Sequence, residues 1–459
     1  ILSQQTLAQK VMGLLVQKNS EGVDEPVVGA NVFWLGTAVS TQTAFNGVFR
    51  IDRSPQSNRL VVSFIGMKPD TIGVIDQRSV KVELKSELLQ EVVVEGWKPT
   101  TGLDHARGIN TVVMDERELF KAACCNLSES FETNPSVDVA FTDAITGTRQ
   151  IQMLGLSGPN TMISIENMPG VRGLASSQGI QLIPGTWINS IEVTKGVGPV
   201  VNGYESIAGQ INVEMKKPHE SEKLYLNGYV NQSGRSEANV NYSAMTGKKW
   251  ATTLLLHASA RPFEMDENGD SFMDFPTGTQ LNAVNRWVFN NGNGWLGQFG
   301  IKVLKDEKSG GQTETMEHRA GFPSYRVEIN TSRTELWGKL GYQFPSKPYK
   351  SIGFQFSGTS HDHESYYGHT NHDGNEESAY ANLIYQSIIG STTHRFKTGL
   401  SFLFDRYDES LSNHMQEIQL VRDGVAEEMH TIDFNRVEKV PGAFLEYTYD
   451  FLHKISFIA

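Results

Sequence analysis

Apolar and polar residues alternate with a period of two along most of the second half of this chain. Phe299, Ile301 and Val303 fall on one side, and Gln298, Gly300 and Lys302 on the other. Leu445, Tyr447 and Tyr449 oppose Glu446, Thr448 and Asp450, and Leu224, Leu226 and Val230 oppose Tyr225, Asn227 and Tyr229. Such alternation marks strands with one apolar and one wet face. From about residue 219 the pattern predicts about ten strands of roughly ten residues, with another beginning at Ile455. The segments between them are of two kinds. Those at 246–249, 290–294, 345–349, 390–394 and 451–454 are compact, whereas 262–279, 305–321, 368–377 and 412–439 are long and polar. A soluble antiparallel sheet also alternates. Short turns at one end and long loops at the other suit a transmembrane β-barrel instead, as do Trp250, Trp287, Trp295 and Trp337 near strand ends.

The first half has a different texture. Apolar runs at 26–32, 48–51, 60–66 and 80–84, separated by Gly, Asn and Ser turns, predict a small β-sandwich over residues 1–88. Residues 109–218 mix helix and strand. Helices are expected at 115–122 and at 127–134, the latter stopped by Pro135, and strands at 149–153, 161–165, 180–183 and 188–193. The stretch 191–213, IEVTKGVGPVVNGYESIAGQINV, reads as strand, glycine-punctuated turn and returning strand.

Composition narrows the class. The chain has 459 residues, too many for one ordinary core. Its formal charge is −12 and its pI about 5.5, which argues against a nucleic-acid partner. No run of 18 apolar residues occurs, so no transmembrane helix is expected; a barrel needs none. The opening ILSQQTLAQK has no basic or apolar leader pattern, so no signal peptide is expected there, and it suits a processed end. The two cysteines, Cys124 and Cys125, are adjacent, which is no disulfide framework.

The residues then point to a family. The 1–88 pattern "PVVGANVFWLGT … NGVFRI … LVVSFIGMKP … VKVELK" resembles the carboxypeptidase-regulatory-like domain that precedes many Bacteroidetes outer-membrane receptors. The run Leu89, Gln90, Glu91, Val92, Val93, Val94, Glu95 and Gly96 resembles "L-x-E-V-V-V-x-G", the TonB box of TonB-dependent receptors. Its other reading is a last strand of the sandwich. A β-prone run of this kind can add a strand to a partner's sheet edge. "IQMLGLSGPNTMISIENMPGVRGL" and the 191–213 stretch resemble the plug of the same transporters. The resemblance implies a TonB box with linker over 89–108, a plug over 109–218 and barrel strands over 219–459. It also implies 22 strands in the closed barrel. An open half would leave an unpaired edge in lipid, so the chain is expected to be part of a longer protein. Two departures stand out. Gln152–Met153 replaces an Arg-Gly pair and Lys195 an arginine, both residues that usually join plug–barrel ion pairs in relatives.

Three groups of residues carry candidate chemistry. His361, His363, His369 and His372, with Asp362, Glu364 and Asp373, form the densest cluster. Imidazoles and carboxylates suit zinc, copper, nickel or iron, including haem iron; a solvated polar loop is the bland alternative. Asp266, Asn268, Asp270, the Phe272 carbonyl and Asp274 occupy the first nine places of a calcium loop, with Ser271 at the glycine place and Thr277 at the glutamate place. Calcium there would rigidify an outer loop; no cofactor is required. Cys124 and Cys125 could bind a soft metal or pair with each other, but simple packing is the favoured reading.

The resemblance implies an outer-membrane transporter and not an enzyme. Its partners are TonB with ExbB–ExbD, outer-membrane lipid and a small metal-containing ligand, with room for a surface lipoprotein. The ending 202–213, NGYESIAGQINV, resembles the siderophore, haem and cobalamin branch more than the SusC-like glycan importers. A non-transporting surface adhesin would explain the alternation but neither the 89–96 run nor the plug-like segment. A metal-dependent surface enzyme would rest on the histidines alone.

Overall fold

The computed structural model describes residues 10–18, 24–37, 39–44, 46–64, 69–75, 77–84, 101–103, 111–121, 125–131, 137–219, 221–313, 324–413, 430–451 and 455–458. The chain divides into two compact units, Ile1–Lys98 and Pro99–Ala459.

The first unit is a sandwich of two four-stranded sheets. Val48–Asp52, Arg59–Ser63 and Ser79–Leu84 lie where the apolar runs between turns predict them. The 26–32 run splits into Asp24–Pro26 and Asn31–Trp34, because Gly29 turns the chain at a left-handed φ of 77°. Leu15, Trp34, Phe49 and Leu60 fill the core; burying each such side chain is worth about 1.5–3 kcal/mol. The strand Lys10–Lys18, paired with three others, is one the sequence did not announce. Gly13 weakens its strand signal, yet glycine is needed there: a Cβ would collide with the Phe49 ring.

The second unit begins with a mixed sheet of six strands. In spatial order these are Met168–Val171, Thr161–Ile165, Gly209–Met215, Ile188–Lys195, Thr111–Asp115 and Thr101–Leu103. The 191–213 stretch is the strand, turn and strand that its glycines predict, with Gly196 and Gly203 at positive φ. Helix Glu116–Lys121 follows the strand ending at Asp115, whose carboxylate accepts the N–H groups of Arg117 and Glu118. The helix expected at 127–134 is among the described residues only a single 3₁₀ turn, Glu129–Phe131. Asn126 Oδ1 accepts the Ser128 and Glu129 N–H groups, which favours a turn over a helix.

Eleven antiparallel strands in sequence order, from Leu224–Val230 to Ile455–Ile458, form the wall. Leu226, Phe299, Ile301, Val303, Leu400 and Leu445 are exposed on one face, while Lys302 and Glu446 are buried on the other. From Thr277 onward the strands up to Phe451 are longer than predicted. Ser391–Asn413 has 23 residues, where a membrane crossing needs about 9–11. The loop expected at 368–377 is two residues, Gly368 and His369, between strands Ser351–Tyr367 and Thr370–Ile389. Beyond the apolar band both faces are polar, so alternation ends while the hydrogen-bonded ladder continues. Trp337 is likewise no interface residue. It is buried on the inward face against Met168, Tyr380 and Leu403.

Candidate functional site

The plug is held to the inward face of the wall by buried charge, at two places. The first centres on Glu166, at the turn between Thr161–Ile165 and Met168–Val171. Glu166 and Asn167 both take left-handed φ, 55° and 59°, which costs a residue with a Cβ about 1–2 kcal/mol. Hydrogen bonds hold them there. Asn167 N–H donates to Asn212 Oδ1 at 2.7 Å, and Met215 N–H donates to Glu166 Oε1 at 3.1 Å. Across the seam, Arg286 Nη1 of strand Thr277–Asn290 meets Glu166 Oε1 at 3.0 Å. Lys339 Nζ lies 3.5 Å from Oε2. Arg286 also donates to the Met215 and Lys216 carbonyls and to Gln298 Oε1, and it lies over the Trp337 ring. Glu166 and Arg286 are almost wholly buried. Burial alone would raise the Glu166 pKa, but Arg286, Lys339 and Lys217 hold it below the ordinary 4.5.

The second place centres on Arg172. It pairs with Glu205 of the plug at 2.9 Å and with Asp405 of strand Ser391–Asn413 at 2.6 Å. Burial opposes its charge, yet these two carboxylates raise its pKa. Next to it, Leu174 N–H donates to the buried Glu376 carboxylate, and Arg333 Nη2 donates to the Gly170 carbonyl. Gly173 sits between them at φ 57°, where an added Cβ would land on the Glu376 carboxylate. Gly173→Ala is therefore expected to cost about 1–2 kcal/mol of plug seating, seen as faster amide exchange around Leu174.

Sequence reading missed both clusters. It expected the arginine latch to be weakened at 152–153 and Lys195. Met153 is buried in the plug core, and Lys195 is exposed with no ion pair among the described residues. The latch is built from Glu166 and Arg172 instead. The one available signal was charge inside otherwise apolar runs, as in ISIENMP and VNRWVF.

The predicted site residues fare differently. The 89–96 run and Cys124 lie outside the described residues. Cys125 is buried, and burial pushes its thiol pKa up. His361, His363 and His372 do come together. The first two rings stack 6.4 Å apart and the second pair lies 5.8 Å apart. His361 Nδ1 accepts from Arg333, His363 contacts Thr331, and His372 Nε2 lies 3.1 Å from Glu409. His361 Nε2 is buried without a partner. His369 stays on the turn. In the 262–276 loop, Asp266 accepts the N–H groups of Gly269, Asp270 and Ser271. Asn268 accepts from Asp270, Asp270 from Phe272 and Asp274 from Glu267. The loop's oxygens thus serve its own amides. Among the described residues no three His, Cys, Asp or Glu side chains converge as a metal would require.

Comparison with known proteins fits this geometry. The model of the CarboxypepD_reg-like domain matches residues 15–94, and that of the TonB-dependent Receptor Plug Domain matches residues 107–210. TonB-dependent receptor SusC of Bacteroides thetaiotaomicron is 28% identical, over 54% of this chain and 25% of SusC. Heme transporter BhuA of Brucella ovis is 23% identical, over 41% of this chain and 29% of BhuA. The ferripyoverdine receptor of the Pseudomonas aeruginosa outer membrane matches with a TM-score of 0.60 at 12% identity, covering 82% of this chain and 55% of the receptor. For the alcaligin receptor FauA of Bordetella pertussis the figures are 0.56, 11%, 78% and 56%. The chain spans about a quarter of the curated relatives and about half of the solved structures it matches. A plug pinned inside a wall of long antiparallel strands defines the class: an outer-membrane β-barrel with an internal plug. The chain carries a CarboxypepD_reg-like domain and a TonB-dependent receptor plug domain, and it is similar to TonB-dependent receptors.

Proposed function

We propose that this protein imports a metal chelate or metal ion across the outer membrane, with TonB supplying the force. The observation that carries the reading is the seam. A plug fixed by buried ion pairs blocks the inward face of the wall, and passage requires something to break them. The 89–96 run, just ahead of the plug, is the handle. TonB, driven by ExbB–ExbD, pairs with it as an added strand and pulls. Ligand bound from outside shifts the population in which that strand is offered.

His361, His363 and His372 form a row of imidazoles on the inward wall that does not converge on a metal of its own, and we assign it contacts to the periphery of a bound chelate. The ending 202–213 and the likeness to a haem transporter point the same way. The match to SusC favours a second reading, a SusC-like glycan importer. Growth of a receptor-deleted strain under separate iron, haem, copper and cobalamin limitation decides between them. One metal-specific defect is expected, and a defect on a glycan alone would overturn the metal reading. Replacing His361, His363, His369 and His372 together by Ala is expected to weaken ligand binding about tenfold or more, measured by titration of the purified receptor. Unchanged affinity would remove the histidines from the site.

A further inference from the structure

We infer that imported ligand passes along one face of the plug's sheet, through the cavity that this face forms with strands Thr370–Ile389, Ser391–Asn413 and His430–Phe451, and that the route admits a hydrophilic solute. The inference rests on the transport reading above and names the path and the chemistry it takes.

Period two gives the plug's sheet two unlike faces. Met114, Ile191, Val193, Ile211 and Val213 pack into the plug's core on one. On the other, two polar rows cross the strands in register: Thr111, Thr194 and Gln210, then Glu192, Asn212 and Ser164. All six are buried. The Thr111 and Thr194 hydroxyls lie 2.9 Å apart. Asn212 Nδ2 donates to Glu192 and Glu214, while its Oδ1 accepts from Ser164 and from the Asn167 N–H. Gln210 Oε1 is left buried with no partner. A sheet face of this kind is not a packing surface. It borders a wet space, where water satisfies what the protein leaves unpaired.

That space is a cavity of about 350 Å³, to which the wall presents Gln386, Lys397, Glu446, Arg395 and Thr448. These residues lie close to the compact turns at 390–394 and 451–454, at the far end of the wall from the long loops. Lys397 and Glu446 pair across their strands at 3.1 Å. Glu192 and Glu446 balance Arg395 and Lys397 in charge, so the lining offers donors and acceptors without a strong field of one sign. A solute can enter such a lining and leave it again.

Elsewhere the seam is closed by apolar contact. Trp187 of the plug is buried with Leu255 and Val284 of the wall, and Met168 with Trp337, Tyr380 and Leu403. Opening there exposes apolar surface to water. Along the cavity, a ligand's hydrogen bonds replace those of water, an exchange near balance. The bond that crosses the seam beside it is neutral, from Asn382 Nδ2 to the Val201 carbonyl at 2.9 Å. Both latches flank the cavity. Asn167 follows Glu166, and Asn202 stands just before Glu205, the partner of Arg172. Their release therefore widens this space.

The test has a labelling arm and an uptake arm. In the purified full receptor, Thr448→Cys should react with the hydrophilic reagent sulfonatoethyl methanethiosulfonate about a hundredfold faster than Val284→Cys, which sits in the apolar cluster. The unsubstituted receptor sets the background from Cys124 and Cys125. Gln386→Trp with Thr448→Trp fills the cavity from the wall and touches neither latch. Cells are offered radiolabelled haem, cyanocobalamin, ferric citrate and maltoheptaose. Uptake of whichever the wild type imports should fall about tenfold or more in the doubly filled variant. Binding of that solute to the purified receptor, and amide exchange in Thr161–Ile165, should stay within about twofold. Leu400→Trp, exposed on the outward face, is the control and should import normally. A mobility shift on boiling shows that each variant is folded. Undiminished uptake past the two tryptophans would overturn the route, and so would labelling of Thr448→Cys no faster than Val284→Cys. A wild-type receptor that imports none of the four overturns the transport reading and the route with it; wild-type import separates that outcome from failure of the route alone.

Discussion

Glu166→Ala should unseat the plug. The substitution leaves Arg286 and Lys339, both on the wall, without the carboxylate that met them across the seam, and Arg286 has no exposed surface. Removing one partner of a buried ion pair costs about 3–5 kcal/mol, because the remaining charge stays desolvated. Amide exchange in Thr161–Ile165 and Gly209–Met215 should accelerate by about a hundred- to several-thousandfold. Large antibiotics that intact outer membranes exclude should begin to pass. Glu166→Ala combined with Arg286→Met should recover much of the loss, since no naked guanidinium remains. Exchange within about threefold of wild type in the single variant would show that the pair does not hold the plug. Acid should act in the same direction. The Glu166 pKa is lower in the folded protein than its ordinary 4.5. Its contribution is therefore complete above the ordinary value and is lost as pH falls through the folded one. Seating should be constant near neutrality and weaken only below about pH 4.5.

Deleting residues 89–96 should abolish uptake and spare binding. The run is β-prone, and strand addition draws its affinity from main-chain hydrogen bonds, so removal of the whole segment takes the handle away. Among the described residues, the plug's seam contacts lie in residues 129–216. Uptake should fall by about a hundredfold or more, while the dissociation constant for the ligand stays within about twofold. Substitution of Val92 and Val94 by Pro should reproduce the loss, because proline cannot donate to the ladder. Persistent uptake would mean that the run is only the last strand of the sandwich, the other reading its sequence allows.

Strands were legible as apolar runs in the plug and as alternation in the wall, although the run expected as a strand at 180–183 is a turn. Thr161–Ile165, Ile188–Lys195 and the wall's Phe299–Val303 register all follow from their residues. The hairpin at Gly368 and His369 was not, because its flanking strands are polar on both faces and their pairing is a backbone property. Trp337 illustrates a recoverable error. Its neighbour Leu336 is exposed and outward, so period two already turns Trp337 inward. The latch was hidden for a deeper reason. Charged residues on the inward face of a barrel strand are ordinary, and nothing local in VNRWVF says that Arg286 meets a glutamate 120 residues earlier. The histidine row was visible as composition, but its geometry depends on a strand pairing that places His363 opposite Gly374, near His372.

The claim at the centre of this account is that the plug must leave its seat for ligand to pass. It is tested most directly by fastening the plug to the wall. A Cβ on Gly374 would touch the Leu174 side chain across the seam, so Leu174→Cys with Gly374→Cys can be joined by a short thiol-to-thiol cross-linker. Each single variant treated in the same way serves as control for Cys124 and Cys125. Uptake of the nutrient found in the growth screen should collapse in the joined receptor, with ligand binding intact and both single variants active. Undiminished uptake through a cross-linked plug would contradict the account.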